Sequence, residues 1–256
     1  MKVLVTGGAG FIGSHLADVL LARGDSVVAL DDVSTGSIDN VRHLLDHPKF
    51  QLTEGTVLHH PLVAQLAGRA DVVVHLAAAV GVRLIVKQPL RSLITNIRGT
   101  EIVLESAALA DARVLVASTS EVHGKNAMGP LSETSDRILG SPFVARWSYS
   151  EAKAVDAVVR LLDHPESPGD PFNIGALNET TMNGLAESIL ARTGSRSSVV
   201  HIPYEVAYEE GFEDMERRVP DTAKIHDLTG WEPKRSLDDI LDDVITFERA
   251  RLTAGA

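Results

Sequence analysis

Tyr149 and Lys153 lie four residues apart at the start of a segment with helical periodicity, and this pair could carry out acid–base chemistry. Residues i and i+4 share a face of a helix, so the Lys153 ammonium can lie beside the Tyr149 phenol and favour its ionised form. An unperturbed phenol has a pKa near ~10, too high for a base at neutral pH without such a cation. Taken alone, the pair is better explained as a surface tyrosine and a solvated lysine.

Three glycines, Gly7, Gly10 and Gly13, form a GxxGxxG pattern between the first predicted strand and the first predicted helix. A backbone without side chains at this place lets a pyrophosphate approach the N-terminus of the helix. The alternative is a tight turn that needs glycine only for its positive φ. The position of the pattern between strand and helix favours dinucleotide binding.

Two adjacent acidic residues, Asp31 and Asp32, follow the second predicted strand. An acidic side chain at the end of this strand accepts hydrogen bonds from the adenosine ribose hydroxyls and repels a 2′-phosphate. Asp31 therefore strengthens the dinucleotide interpretation of the glycines and favours NAD over NADP. Asp32 is open to two interpretations, a solvated turn residue or a further cofactor contact.

Short apolar runs separated by helical patterns must position these residues. Strands are predicted at residues 3–6, 26–30, 50–52, 72–76, 114–117 and 172–174, and the first helix at residues 11–23. Strands that are apolar on both faces and alternate with helices indicate an α/β fold with a doubly wound, Rossmann-like parallel sheet. We assign residues 1–175 to this NAD-binding domain.

The pattern changes after Gly175, where a smaller region, residues 176–256, is predicted to bind substrate. It has a predicted helix at 182–192, a strand at 199–202 and an acidic, aromatic-bearing loop at 204–216. Ser236 and Asp239 form a capping box ahead of an amphipathic helix at 237–251, and Gly230 ends the preceding helix.

Composition excludes several classes of function. The net charge is −11 and no long run of Lys or Arg occurs, which argues against nucleic acid binding. The absence of cysteine excludes disulfides, thiolate nucleophiles and sulfur-ligated metals, and the pair His59-His60 has no matching ligand cluster, so we expect no metal site. No apolar run is long enough to span a membrane and the start has no signal-peptide pattern, which predicts a soluble cytoplasmic protein.

Taken together, these motifs resemble the extended short-chain dehydrogenase/reductase family, in particular its NAD-dependent nucleotide-sugar epimerase/dehydratase group. The resemblance also includes further segments along the chain: His75-Leu76-Ala77-Ala78, Asn96 with Gly99-Thr100, Ser118-Thr119-Ser120-Glu121, Arg218-Val219-Pro220-Asp221 and Gly230-Trp231. The sequence between Lys125 and Tyr149 is most similar to that of bacterial UDP-glucose or UDP-glucuronate 4-epimerases.

The resemblance implies a set of cofactor-binding residues in addition to the catalytic pair Tyr149 and Lys153, both of which also contact NAD. These residues are Gly7, Gly10, Phe11, Ile12, Gly13, Asp31, Asp32, Thr35, Gly36, Thr56, Val57, Leu76, Ala77, Ala78, Val80, Asn96 and Ala117. For the substrate, it implies that Thr119 hydrogen-bonds the reacting sugar hydroxyl beside Ser120, and that Arg218 holds the nucleotide diphosphate.

The implied reaction is a transient oxidation of the sugar. Tyr149 takes the proton of the 4-hydroxyl while the C4 hydride passes to NAD, and return of the hydride to the other face of the 4-keto sugar gives a 4-epimer. Ser120 stands where related dehydratases have an aspartate, which disfavours dehydration. Glu121 leaves UDP-glucuronate decarboxylation open, although it could equally cap local amides. We therefore predict a UDP-sugar 4-epimerase, with UDP-glucuronate decarboxylase as the alternative.

The sequence departs from the family at Thr56, which replaces an aspartate that contacts adenine, and at His123, which replaces a tyrosine and is interpreted as a packed residue or a titrating neighbour. A larger departure follows Lys153, where a strand and a substrate-binding segment of the family are missing and residues 154–162 resemble a later helix. We interpret this as an excision, real or apparent, that lets residues 172–174 occupy the vacated sheet edge.

Two further hypotheses follow. If the excision is real, the chain could be a non-catalytic NAD-binding module. The apolar-faced helices at residues 93–109 and 155–162 are expected, from the resemblance, to form the four-helix interface of a homodimer, with ordinary core packing as the alternative.

Overall fold

A computed structural model describes residues 1–79, 88–118, 126, 128–136, 169–207 and 219–254. Its centre is a parallel sheet of five strands in the order β3-β2-β1-β4-β5. The strands are β1 (Lys2–Thr6), β2 (Ser26–Asp31), β3 (Phe50–Glu54), β4 (Val72–His75) and β5 (Arg113–Val116). The order reverses between β1 and β4, which makes a topological switch point where such sheets bind ligands. The predicted doubly wound fold is confirmed.

Helices cover both faces of this sheet and continue into the C-terminal region. They are α1 (Phe11–Ala22), α2 (His60–Ala67), α3 (Pro89–Leu93), α4 (Gly99–Leu109), α5 (Met182–Thr193), α6 (Tyr204–Ala207), α7 (Ala223–Thr229) and α8 (Leu237–Ala254). Two short 3₁₀ turns, Ile38–Asn40 and Arg42–Leu44, follow β2, and a π-helical turn, Ile94–Arg98, joins α3 to α4.

Alternate residues of the strands supply two separate cores. Val3 and Val5 of β1 point to the face that α1 covers, where they pack with Leu16 and Leu20. Leu4 points to the opposite face and belongs to the core formed by α2 and α4. Because both faces are buried there, the inner strands β1, β2 and β4 carry three or more consecutive apolar residues, which is why the sequence shows runs rather than alternation.

The predicted strand at residues 172–174 is wrong, since these described residues form no strand. The Asn173 amide donates to Glu133 Oε1 at 2.6 Å, and the Asn173 side chain donates to the Leu131 carbonyl at 2.8 Å. Phe172 and Ile174 instead pack on a small core of Ile225 and Trp231 that reaches Leu115 in β5. The apolar residues are therefore explained by side-chain packing, and the segment does not extend the sheet.

The predicted strand at residues 199–202 is also wrong. No strand is formed there, and Val200 is 72% exposed, so its apolar side chain has no partner surface among the described residues.

The helix-end predictions are correct. Gly230 ends α7 with φ 65°, and the Asp239 amide donates to Ser236 Oγ at 3.1 Å while the Ser236 amide donates to Asp239 Oδ2 at 2.9 Å.

Candidate functional site

A cleft of about 790 Å³ opens at the carboxyl ends of the strands. We call the part beside the end of β2 the β2 half; its residues are Asp31, Asp32, Ser34, Thr35, Gly36, Thr56 and Val57. The part beside β4 and β5 is the β4 half; its residues are His75, Leu76, Ala77, Ala78, Ala79, Asn96, Thr100, Val116, Ala117 and Ser118. The glycine loop, with Gly7, Gly10, Phe11, Ile12 and Gly13, lies between the two halves.

The structure therefore brings together every described residue that the sequence assigned to the cofactor, while the binding role itself stays a prediction. The predicted site residues Thr119, Ser120, Glu121, Tyr149, Lys153, Val80 and Arg218, together with His123, lie outside the described residues. Sequence reasoning gave no cofactor role to Ser34, His75 or Thr100, which also line the cleft.

The glycine loop is packed too closely for side chains. A Cβ on Gly13 would lie 2.2 Å from the Gly7 carbonyl oxygen, and one on Gly7, whose φ is +73°, would lie 2.8 Å from the Ala77 amide nitrogen. The N-cap residue of α1 is Gly10, so no side chain caps this end of the helix, and the first turn contains no acidic residue. This end of the helix therefore suits an anion such as a pyrophosphate.

Asp31 joins the two loops that form the β2 half. Its buried carboxylate accepts hydrogen bonds from the Ala9 amide at 2.9 Å and from the Val33 amide at 2.8 Å. Each oxygen keeps a second lone pair, so the carboxylate can also accept from ligand hydroxyls. The Val33 backbone has φ 55°, an uncommon conformation for a β-branched residue. The hydrogen bond from the Val33 amide to the Asp31 carboxylate stabilises this conformation.

Asp32 and Thr56 are held by local turns. Asp32 is exposed and accepts hydrogen bonds from the Ser34 amide at 3.0 Å and the Ser34 hydroxyl at 2.5 Å. These bonds form the turn that is expected if Asp32 is a solvated turn residue. Thr56 Oγ1 accepts weakly from the Leu58 amide at 3.3 Å. A contact of either residue with a cofactor stays a prediction.

His75 lies behind the β4 half, 3% exposed, with a hydroxyl at each ring nitrogen. Nδ1 is 2.7 Å from Thr6 Oγ1, and Nε2 is 3.0 Å from Thr100 Oγ1. Burial lowers the pKa of His75 to about 4, so the ring is neutral near pH 7.

Asn96, in the π-helical turn, holds the loop that follows β4. Its Oδ1 accepts from the Ala79 amide at 2.8 Å, and its Nδ2 is 3.4 Å from both the Ala79 carbonyl and Ser92 Oγ. The Thr100 hydroxyl donates to the Asn96 carbonyl at 2.6 Å. π-helical turns are rare and often occur at functional sites, which agrees with the position of this one on the cleft wall.

Residues 219–221, which follow the predicted phosphate-binding residue Arg218, form backbone hydrogen bonds with Leu131. The Leu131 amide donates to the Val219 carbonyl at 2.9 Å, and the Asp221 amide donates to the Leu131 carbonyl at 2.8 Å. A Cβ on Gly175 would lie 2.8 Å from Pro220 Cγ, so residues 131, 175 and 220 meet closely.

Within the described ranges, no group of three or more His, Asp or Glu side chains is arranged to hold a metal ion. The helices of the same ranges include none with the length and apolar character needed to cross a membrane.

A parallel sheet with a glycine loop at its first helix, and an acidic residue at the end of its second strand, defines a dinucleotide-binding protein of the Rossmann type. Residues 4–161 match the sequence model of a family described as GDP-mannose 4,6 dehydratase. This match spans more than half of the chain, so the chain belongs to that family, within the extended short-chain dehydrogenases that the sequence motifs resemble.

Individual relatives carry several activities. The chain is 28% identical to the UDP-N-acetyl-alpha-D-glucosaminuronate decarboxylase of Bacillus cytotoxicus over 317 aligned positions, which cover 97% of this chain and 98% of that protein. It is similar to the structure of Thermotoga maritima UDP-glucose 4-epimerase with UDP-glucose, at 27% identity and a TM-score of 0.82, covering 98% of this chain and 100% of that one. A Streptomyces venezuelae dTDP-glucose 4,6-dehydratase with NAD and TYD bound shares the fold, at 23% identity and a TM-score of 0.80, covering 98% and 97%.

The alignment with the decarboxylase is longer than this chain. It has 317 positions whereas the chain has 256 residues, so at least 61 positions of the relative have no counterpart here. The difference agrees with the prediction that a block of the family's sequence is missing from this chain.

Proposed function

We propose that this protein is an NAD-dependent enzyme that oxidises a UDP-sugar transiently at C4. The leading candidate for its overall reaction is 4-epimerisation of UDP-glucuronate or UDP-glucose. The observation that carries the proposal is the cleft, where the glycine loop, the buried Asp31 carboxylate and the loop after β4 converge. The decarboxylase and epimerase relatives support the substrate class.

The residues of the cleft fit NAD. The Asp31 carboxylate lies where the adenosine ribose is expected and would repel the 2′-phosphate of NADP. The close packing of Gly7 and Gly13 keeps the entrance to α1 free of side chains, as a pyrophosphate requires. When bound, NAD supplies the hydride acceptor and donor of the reaction.

The acid–base groups of the proposed reaction are assigned from the sequence motifs. Tyr149 removes the proton of the sugar 4-hydroxyl, Lys153 favours the ionised phenol, and Thr119 orients the same hydroxyl. Arg218 holds the diphosphate through charge-assisted hydrogen bonds. Ser120 replaces the aspartate that related dehydratases have at this position in the sequence, and a serine hydroxyl lacks the acidity that departure of a 6-hydroxyl needs, so dehydration is not part of the proposal.

UDP-glucuronate decarboxylation is the second candidate, because Glu121 suits it and because the Bacillus cytotoxicus relative is a decarboxylase of a related substrate. Incubation of the purified protein with UDP-glucuronate, followed by product analysis by NMR, separates the two. A 4-epimer without carbon dioxide supports epimerisation, whereas a UDP-pentose reverses the order of the candidates.

A non-catalytic NAD-binding module is the third candidate, favoured by the missing block of sequence. Calorimetry with NAD, UDP and UDP-sugars distinguishes it from an enzyme. Binding of NAD with no binding of any uridine nucleotide, and no turnover of any UDP-sugar, supports the module.

We also propose that the enzyme is a cytoplasmic homodimer, the location resting on the sequence argument alone. The outer face of α3, the π-helical turn and α4 carries Leu90, Ile94, Ile97 and Leu104 at helical spacing, and Ile97 is 66% exposed. A second copy of the chain is the partner that such a helical face fits. Sedimentation of wild type and Ile97→Glu tests this: a dimer that the substitution dissociates supports it, and a wild-type monomer contradicts it.

A further inference from the structure

His75, itself buried, is the central member of a chain of buried and partly buried hydrogen bonds that joins four separate elements. The chain runs from the Ala77 amide to Thr6 Oγ1 in β1 at 3.2 Å, then to the His75 ring in β4. From the other ring nitrogen it continues to Thr100 in α4 and to the Asn96 carbonyl in the π-helical turn. Both ends of this chain belong to the wall of the β4 half.

The direction of each hydrogen bond follows from the number of hydrogens available. The Thr100 hydroxyl has one hydrogen and donates it to the Asn96 carbonyl, so its oxygen must accept from His75 Nε2–H. In a neutral ring Nδ1 is then the acceptor, and it receives the Thr6 hydroxyl hydrogen. The Thr6 oxygen accepts from the Ala77 amide. Every hydrogen has one acceptor only when His75 is neutral and carries its hydrogen on Nε2.

This arrangement fixes the cleft wall at two points. The Ala77 amide is held through Thr6, and the Ala79 amide is held through the Asn96 side chain at 2.8 Å. The turn that presents Asn96 is itself held by Thr100, which bonds to the carbonyl of Asn96. The loop at residues 76–79 and the π-helical turn thus depend on one imidazole ring.

We propose that His75 is a positioning residue for the nicotinamide half of the cofactor, because its two hydrogen bonds set the wall formed by residues 76–79 and Asn96. This inference rests on the proposed function: with the adenosine ribose at Asp31 in the β2 half and the pyrophosphate at the glycine loop, the nicotinamide would lie in the β4 half. It predicts that loss of one hydrogen bond in the chain weakens binding of the nicotinamide half and leaves the adenosine half unaffected.

Thr100→Val is the sharpest variant, since it keeps the shape of the side chain and removes the hydroxyl that links His75 to Asn96. Calorimetry should compare NAD with ADP-ribose, which lacks only the nicotinamide. We expect the Kd for NAD to rise by at least roughly tenfold, because two hydrogen bonds are lost and His75 Nε2–H is left without its acceptor, while the Kd for ADP-ribose changes less than about twofold.

Two further variants control for folding. Thr246 on the exposed helix α8 donates to the Asp242 carbonyl at 2.7 Å, the same four-residue back-bond that Thr100 makes, so Thr246→Val should leave both Kd values unchanged. Thr100→Ser retains the hydroxyl and should restore wild-type NAD binding. If Thr100→Val does not fold, His75→Asn replaces it, because the Asn amide oxygen can still accept from Thr6 but the link to Thr100 is lost.

The outcomes separate this inference from the proposed function. Equal weakening of NAD and ADP-ribose, or no change in either, overturns the positioning role of His75 while leaving the proposed function in place. A wild-type protein that binds neither ligand overturns the proposed function and the inference together. Selective loss of NAD affinity in Thr100→Val, rescued by Thr100→Ser, supports the inference.

Discussion

The Asp31 carboxylate, at the end of β2, accepts a hydrogen bond from the Ala9 amide in the glycine loop at 2.9 Å. The residue that is expected to favour NAD over NADP therefore also holds, through a hydrogen bond, the loop that is expected to bind the pyrophosphate. Because Asp31 is buried and accepts from two amides, its effect on binding combines charge with loop geometry.

Asp31→Asn should weaken NAD binding by at least roughly tenfold and reduce the preference for NAD over NADP. The Asn amide would place a donor against the amide of Ala9 or Val33, and the charge that repels a 2′-phosphate is lost. Calorimetry with both cofactors checks this. Asp71→Asn is the matched control, since exposed Asp71 lies outside the cleft and its amide oxygen can still accept from the Lys2 amide, and equal effects of the two substitutions would contradict the assignment.

Gly13→Ala should destabilise the protein by at least roughly 2 kcal/mol and abolish NAD binding, because the new Cβ would lie 2.2 Å from a backbone oxygen that cannot move freely. Thermal unfolding and calorimetry measure both effects. Gly184→Ala in α5 is the control: there the Cβ would meet side-chain atoms, the Thr181 hydroxyl at 3.2 Å and the Thr180 hydroxyl at 3.3 Å, in place of backbone. A Gly13→Ala protein with wild-type NAD affinity would show that the close packing is not needed for binding.

Protonation of His75 should destabilise the folded protein in mildly acidic solution. The folded-state pKa is about 4, below the ordinary value of 6.5, so the unfolded chain binds a proton first as the pH falls. The contribution of neutral His75 to the free energy of unfolding is complete above pH 6.5 and decreases as the pH falls from 6.5 to 4. The free energy of unfolding lost over that window is about 3 kcal/mol. Urea unfolding from pH 7.5 to 4.5 checks this, and His75→Gln should lose less stability than wild type over the same range.

Tyr149→Phe should reduce turnover of a UDP-sugar by at least about a hundredfold while leaving the Kd for NAD within roughly twofold of wild type, because it removes the proton acceptor and retains the ring. Lys153→Met should also impair turnover, and its activity should recover in part at high pH, where the phenol ionises without the cation. Steady-state rates across pH 7 to 10 test both. Full activity of Tyr149→Phe would exclude the proposed base.

The sheet and the β2 half could be predicted well because their signals are local. Four of the five strands, β1, β2, β4 and β5, carry at least three consecutive apolar residues, and Asp31 is the last residue of β2. The run at 172–174 has a similar composition and forms no strand, because Asn173 bonds to Glu133 and Leu131 instead of a neighbouring strand. Apolar composition alone does not specify a hydrogen-bond partner.

The chain of hydrogen bonds around His75 could not be predicted for a related reason. Thr6 and Thr100 lie 69 and 25 residues from His75 along the chain, and only the pairing of β4 with β1, together with the packing of α4, brings them to the ring. The π-helical turn has no clear local signal, since its stability depends on Thr100 and Asn96 meeting the loop after β4.

The most direct test of the central claim, transient oxidation at C4 by bound NAD, is incubation of the purified protein with UDP-glucuronate carrying deuterium at C4. The account predicts that NMR shows a product that retains the deuterium at C4, with none exchanged for solvent hydrogen, because the hydride is removed and returned within one site. Turnover with loss of the C4 label to solvent, or no conversion of any UDP-sugar in the presence of NAD, would contradict it.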